Sequence, residues 1–244
     1  ALTDDLALAL GVSSVRVSRH GGSVQLEIPR DDARPVKLLS LMAQLMTGPR
    51  ATPESQTPGS QTPGDCAPRR RTASWGHPTN PIPAATAVLG LCDDGAPLLL
   101  RLPSPDVAHV LIAGCTGSGK TALCQTIILS LAMTHRRSQL QFVLFGRFGE
   151  LEKLPHVMEY KSLAEIARLI PRPSLEPPIV IVMDEFLGEI ETDKDRASLP
   201  FILEQGRESG IHIVATVRAP NQVVGLGFPV RLVGKVVSRE EARV

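Results

Sequence analysis

A chain of 244 residues that is 43% hydrophobic but only 3% aromatic holds enough apolar material for one substantial core and a small accessory unit. Its 26 Lys and Arg balance 25 Asp and Glu, which excludes a global positive field for nucleic acid, so any contact with DNA must be local. The four cysteines form no CxxC pair and no signal-peptide pattern opens the chain; together these read as a reducing cytoplasm.

The first 47 residues read as a small α+β unit. VRVS and VQLEI flank His20-Gly21-Gly22, which is hairpin chemistry across residues 15–28. Residues 36–46 carry Leu38, Leu39, Met42 and Leu45 near helical spacing, an amphipathic helix suited to packing on that hairpin. Residues 48–83 are rich in Pro, Ser, Thr and Gly, repeat SQTPG in tandem, and are expected to form a disordered linker. Arg69, Arg70 and Arg71 within it read as a solvated charge run. Residues 84–106 then hold a second hairpin, with runs at 87–91 and 98–102 bridged by Cys92-Asp93-Asp94-Gly95.

From residue 107 to 244 strand and helix patterns alternate, with strands expected at 107–113, 140–145, 179–183, 211–216 and 230–238. That is the signature of a mainly parallel α/β sheet, whose functional loops emerge at the carboxyl ends of its strands. No apolar run reaches the length of about 18 residues needed to span a bilayer, so no membrane contact is expected from this segment even if a longer parent protein is anchored. The start at Ala1 without Met leaves a fragment and a short natural protein equally open.

The segment HVLIAGCTGSGKT, residues 109–121, is an apolar strand running into GxxxxGK(S/T), the phosphate-binding P-loop. Gly114, Cys115, Thr116, Gly117, Ser118, Gly119, Lys120 and Thr121 are therefore the expected ATP-binding residues. The glycines let backbone N–H groups converge on phosphate, Lys120 reaches the β and γ phosphates, and Thr121 offers its hydroxyl to Mg²⁺. Cys115 reads as a small residue filling the loop. Downstream, the buried-strand run IVIVM delivers Asp184 and Glu185, the arrangement known as Walker B. Asp184 is expected to serve Mg²⁺, and Glu185 to orient the attacking water, which favours an ATPase over a passive nucleotide sensor. Thr216, at the end of the next strand, is a candidate γ-phosphate sensor or a turn residue. Arg207, in GRESG, is a candidate finger acting on a neighbouring subunit's nucleotide or an ordinary surface arginine.

Taken together these residues resemble the FtsK/SpoIIIE family of bacterial double-stranded DNA translocases, which are RecA-like ATPases. The resemblance rests on four stretches in order: HVLIAGCTGSGKT, IVIVMDEF at 179–186, GRESGIHIVATVR at 206–218, and PVRLVGKVVSREEARV at 229–244. It implies a RecA-like core preceded by a small α+β domain, and a homo-oligomeric, hexameric ring that threads double-stranded DNA and binds ATP between subunits. The chain departs from the family pattern in several places. Gly146-Arg147-Phe148 stand where the family has Asp-Pro-Lys, and Val217 stands where it has a sensor Gln. The loops at 160–178 and 225–228 are shortened. A competing reading is a degenerate FtsK-like nucleotide-binding assembly module, like those of type VII secretion, which would not move DNA.

Overall fold

The computed structural model describes residues 16–20, 23–27, 35–47, 82–92, 95–170, 177–189, 192–223 and 225–238. The linker expected at 48–83 therefore lies, up to residue 81, outside the described residues, as do Arg69 to Arg71 and the terminal 239–244. The chain falls into two compact units, 1–37 and 38–244. In the first, β1 (Arg16–His20) and β2 (Ser23–Glu27) pair antiparallel with His20 opposite Ser23, the register a two-residue turn imposes.

The second unit opens with α1 (Leu38–Thr47), whose apolar face is covered by the hairpin of β3 (Thr86–Leu91) and β4 (Pro97–Arg101). Leu41 and Met42 bury against Val88, flanked by Ile82 and Leu99. The hairpin is in turn fastened to the long helix α2 (Lys120–Thr134) by polar side chains that satisfy its backbone. The Val88 N–H donates to Ser130 Oγ at 2.7 Å, and the Ala85 N–H to His135 Nε2 at 3.0 Å. Both acceptors are buried, so each pairs a donor that would otherwise be stranded away from water.

Five parallel strands form the central sheet: β5 (Val110–Ala113), β6 (Gln141–Phe145), β7 (Ile179–Met183), β8 (Ile211–Val217) and β9 (Val230–Val233). Their order is β6-β7-β8-β5-β9. Every residue of β5, β7 and β8 is buried, as expected of central parallel strands covered on both faces. On one face α2 packs Cys124, Ile127, Ile128 and Leu131 against Val110, Ile112, Val180, Val182 and Val214. On the other, α3 (Leu163–Ala167) and α5 (Asp193–Gln205) bury Leu163, Ile166, Leu199 and Ile202 against Ile181, Ile213 and Ala215. A short helix, α4 (Phe186–Glu189), follows β7 directly.

Two strands are shorter than their apolar runs suggest. Residues 107–109 precede β5 as a turn, with Val107 and Ala108 N–H groups both donating to Ser104 O. At the far end β9 stops at Val233, because the next residues are used to brace another loop: the Gly234 N–H donates to Ala113 O and Lys235 O accepts from Cys115.

Candidate functional site

Strand β5 hands the chain at Ala113 to a glycine-rich turn that closes at Gly119, the residue before α2. Gly119 has φ 91°, a left-handed conformation that glycine adopts without steric cost and that starts the helix at Lys120. Gly114 is needed for a different reason: a Cβ there would come within 2.5 Å of Ser118 Oγ and 3.1 Å of Lys235 O. The entry to the turn is held from both neighbouring strands. The Gly114 N–H donates to Val217 O at 3.2 Å, at the end of β8, and the Cys115 N–H to Lys235 O at 2.8 Å, just past β9.

The rest of the turn is a nest of donors. Among the described residues the N–H groups of Gly117 and Gly119 take no backbone partner, and the first-turn amides of α2 add the unsatisfied donors and positive dipole end of a helix. Ser118 Oγ is buried without a partner among the described residues. Lys120, only 8% exposed, folds back so that Nζ donates to Gly114 O at 2.8 Å and Cys115 O at 3.3 Å, leaving its third proton uncommitted to these carbonyls. With its carbonyls turned to Lys120 and its free amides converging, such a loop is suited to an anion. Beside it lies a cleft of about 300 Å³ walled by Ile112, Leu123, Leu232 and Val233.

The second half of the site arrives at the end of β7. Asp184 follows Met183, and each of its carboxylate oxygens accepts one hydroxyl: Thr121 Oγ1 at 2.9 Å and Thr216 Oγ1 at 2.7 Å. Thr216 is fully buried, and its oxygen also accepts the Glu185 N–H at 2.7 Å. Glu185 itself has φ 52°, a conformation costly for a residue with a side chain and common where function over-determines the backbone. The strain is tied to these contacts. Gly146, just past β6, lies close against the same residue: a Cβ added there would sit 3.2 Å from Asp184 Cβ and 3.5 Å from its backbone N and O.

Thus the structure joins six of the candidates, Gly114, Lys120, Thr121, Asp184, Glu185 and Thr216, at the carboxyl ends of three adjacent strands. Cys115, Thr116, Gly117, Ser118 and Gly119 lie in the same turn. Arg207 is not among them. It sits in the turn before β8, where its charge acts on His109 and His212 at the starts of β5 and β8. Seven strand residues, about 20 Å, separate it from the Thr216 end.

Arg218 is the residue the motif reading passed over. Its Nε donates to Glu185 Oε1 at 3.1 Å and its Nη2 to Glu185 Oε2 at 2.7 Å, a two-pronged ion pair. Hydrogen bonding from Arg218 holds the Glu185 carboxyl below its ordinary range, with smaller contributions from the charges of Arg218 and Lys120 working against partial burial. Strand alternation was the available signal: 216 and 218 share one face, while Val217 turns into the core at 2% exposure.

Thr121 Oγ1 and the Asp184 carboxylate are hard oxygen donors of the kind Mg²⁺ takes, so the residues fit that ion. Among the described residues no cluster of three His, Cys, Asp or Glu could hold a metal without help from a ligand.

Comparison with known proteins bears on the same elements. The model of the FtsK/SpoIIIE family matches residues 84–170, which include the P-loop and β6. DNA translocase FtsK of Helicobacter pylori is 23% identical across 93% of this chain and 28% of its own length. ESX secretion system protein EccC of Thermomonospora curvata is 30% identical across 52% of this chain and 13% of its own length. Among solved structures, the cytoplasmic domain of the type VII secretion ATPase EccC of Thermomonospora curvata superposes with a TM-score of 0.56 and 25% identity, over 67% of this chain and 25% of that one. The cytoplasmic domain of EssC superposes with a TM-score of 0.54 at 17% identity, over 64% of this chain and 38% of that one, a likeness of fold. The chain thus spans less than a third of the length of the curated relatives described here.

Proposed function

We propose that this chain is an FtsK/SpoIIIE-type ATPase that binds ATP at residues 114–121, hydrolyses it, and spends the energy on double-stranded DNA. The observation that carries hydrolysis is the connected run Thr121, Asp184, Thr216, Glu185, which sets a hydroxyl and two carboxylates beside a phosphate-sized nest of donors. Lys120 and the turn amides bind the β and γ phosphates, and the apolar side of the neighbouring cleft offers a surface for the nucleoside. A magnesium ion, when bound, would be held by Thr121 and Asp184 and would neutralise charge on the phosphates. Glu185 orients a water whose oxygen bonds to the γ-phosphorus while the bond to the β–γ bridging oxygen breaks. ADP leaves, and the water's proton passes through the Glu185 carboxylate to solvent.

Action on DNA rests on the likeness to the FtsK relative, which extends over 93% of this chain. In that reading residues 107–244 form the motor of a homo-oligomeric, hexameric ring in the bacterial cytoplasm, and Arg207 reaches the nucleotide of a neighbouring subunit. Its place at the opposite end of β8 from Thr216 supports a role in a neighbour's site and none in its own. A second reading, an FtsK-like ATPase module of a type VII secretion system that leaves DNA alone, is favoured by the likeness to EccC in both sequence and fold. Among the described residues no helix is long and apolar enough to cross a membrane.

ATP turnover measured with and without long duplex DNA, beside a Lys120→Ala control, tests both. DNA-stimulated turnover that the control abolishes supports the motor. A Lys120-dependent rate indifferent to DNA removes DNA translocation and leaves the assembly reading, and turnover unchanged in the control removes the nucleotide site.

A further inference from the structure

Arg218 and Glu185 occupy one another's strongest hydrogen-bonding capacity at the point where hydrolysis would need Glu185 to face a water. The guanidinium spans both carboxylate oxygens, at 3.1 and 2.7 Å. Arg218 also stands at the edge of the phosphate nest, because the carbonyl of the preceding residue, Val217, accepts the N–H of Gly114. Lys120 is close enough for its charge to act on Glu185, so two cations act on this one carboxylate.

We propose that Arg218 is a positioning residue that exchanges Glu185 for the γ-phosphate of a bound nucleoside triphosphate, freeing Glu185 for the water only when that phosphate is present. This rests on the nucleotide-site reading above and adds the trigger to it. Three features make the exchange chemically natural. The arginine keeps its proton under all ordinary conditions, so it stays a cation available to whichever anion is offered. The ion pair is exposed, 65% on the arginine side and 45% on the glutamate side, so solvent weakens it and little is lost when it opens. A terminal phosphate carries more charge than a carboxylate and accepts the same two-pronged geometry, which makes it the better partner within reach. The alternation of β8 leaves Arg218 to do this: Val217 is packed in the core, and Thr216 is committed to Asp184 and to the Glu185 amide.

The test is a comparison of ATPγS and ADP binding to the full chain, its Arg218→Ala, Arg218→Lys and Glu185→Gln variants, and the Glu185→Gln/Arg218→Ala double variant. Arg218→Ala should weaken ATPγS about tenfold, the worth of one lost charged hydrogen-bond set, with ADP affinity unchanged. Arg218→Lys should fall between, keeping the charge but not the fork. Glu185→Gln should tighten ATPγS severalfold by releasing the guanidinium, and the double variant should lose that gain. Unchanged ADP affinity also reports that Arg218→Ala remains folded. Equal weakening of ATPγS and ADP in Arg218→Ala, or an undiminished gain in the double variant, would overturn the role of Arg218 while the site stands. Failure of the unaltered chain to bind either nucleotide would overturn the site itself and this role with it.

Discussion

Thr121 and Asp184, 63 positions apart in sequence, share a 2.9 Å hydrogen bond that ties the first turn of α2 to the end of β7. The contact exists because β5 and β7 lie on either side of β8 with their carboxyl ends level: Met183 is in register with Ala215, and Ile112 with Thr216. A P-loop and a pair of acids are thereby brought to one edge, and the remaining Asp184 oxygen is used by Thr216. The consequences can be measured residue by residue.

Thr216→Val keeps the shape of the side chain but removes the hydroxyl that serves both Asp184 and the Glu185 N–H. With both groups left short of a partner, the fold should lose about 1–3 kcal/mol in urea unfolding. Turnover should fall at least about tenfold, through kcat more than KM, because the carboxylates lose their placement and the P-loop does not. An unchanged kcat would mean that Thr216, buried within β8, serves only the fold.

Glu185→Gln should leave nucleotide binding in place and lower turnover by about 100-fold or more, the ordinary worth of a positioned base. Retained ADP-free ATP after gel filtration is the direct observation. Turnover within twofold of the unaltered chain would remove Glu185 from the chemistry.

Gly146→Ala puts a methyl group 3.2 Å from Asp184 Cβ at a backbone φ of 119° that L side chains rarely adopt. The variant should lose activity through displaced Asp184 and about 1 kcal/mol or more of stability through the backbone. Calorimetry and Mg²⁺-dependence of turnover separate the two effects: a raised Mg²⁺ requirement marks the displacement.

Acid should unfold this protein through its buried histidines. His109 is fully buried and burial lowers its pKa from 6.5 to about 4, helped by the nearby charge of His212. His212 and His135 are lowered in the same direction, chiefly by burial. The unfolded chain therefore binds protons that the folded chain refuses between pH 6.5 and about 4. Their stabilisation is complete above pH 6.5 and is lost as pH falls; His109 alone contributes about 2 kcal/mol of loss by pH 5. Urea midpoints that do not fall between pH 7.5 and 5 would contradict this.

The local features were legible because they are written in neighbouring residues. The P-loop is eight consecutive positions whose glycines, lysine and threonine act through backbone geometry at a strand end; strand 179–183 announces itself as an unbroken apolar run, and 211–216 as an apolar run interrupted by His212. Even the first hairpin follows from two glycines between alternating runs. The first hairpin was the expected partner of α1 only because it is near in sequence, since an amphipathic face states that it must be covered and not by what; among the described residues the cover is Val88 and its hairpin.

By itself, then, the sequence determined the main elements, the parallel α/β class and which residues are proposed to meet phosphate and its metal, because those depend on spacing of 2 or 3.6 and on short motifs. Tertiary structure alone decided which side chains become neighbours. It set Arg218 on Glu185, led Lys235 past β9 to brace Cys115, and carried Arg207 to the far end of β8. Such pairings depend on strand order and register, which bring distant positions within 3 Å or hold near ones some 20 Å apart, and no local pattern encodes them.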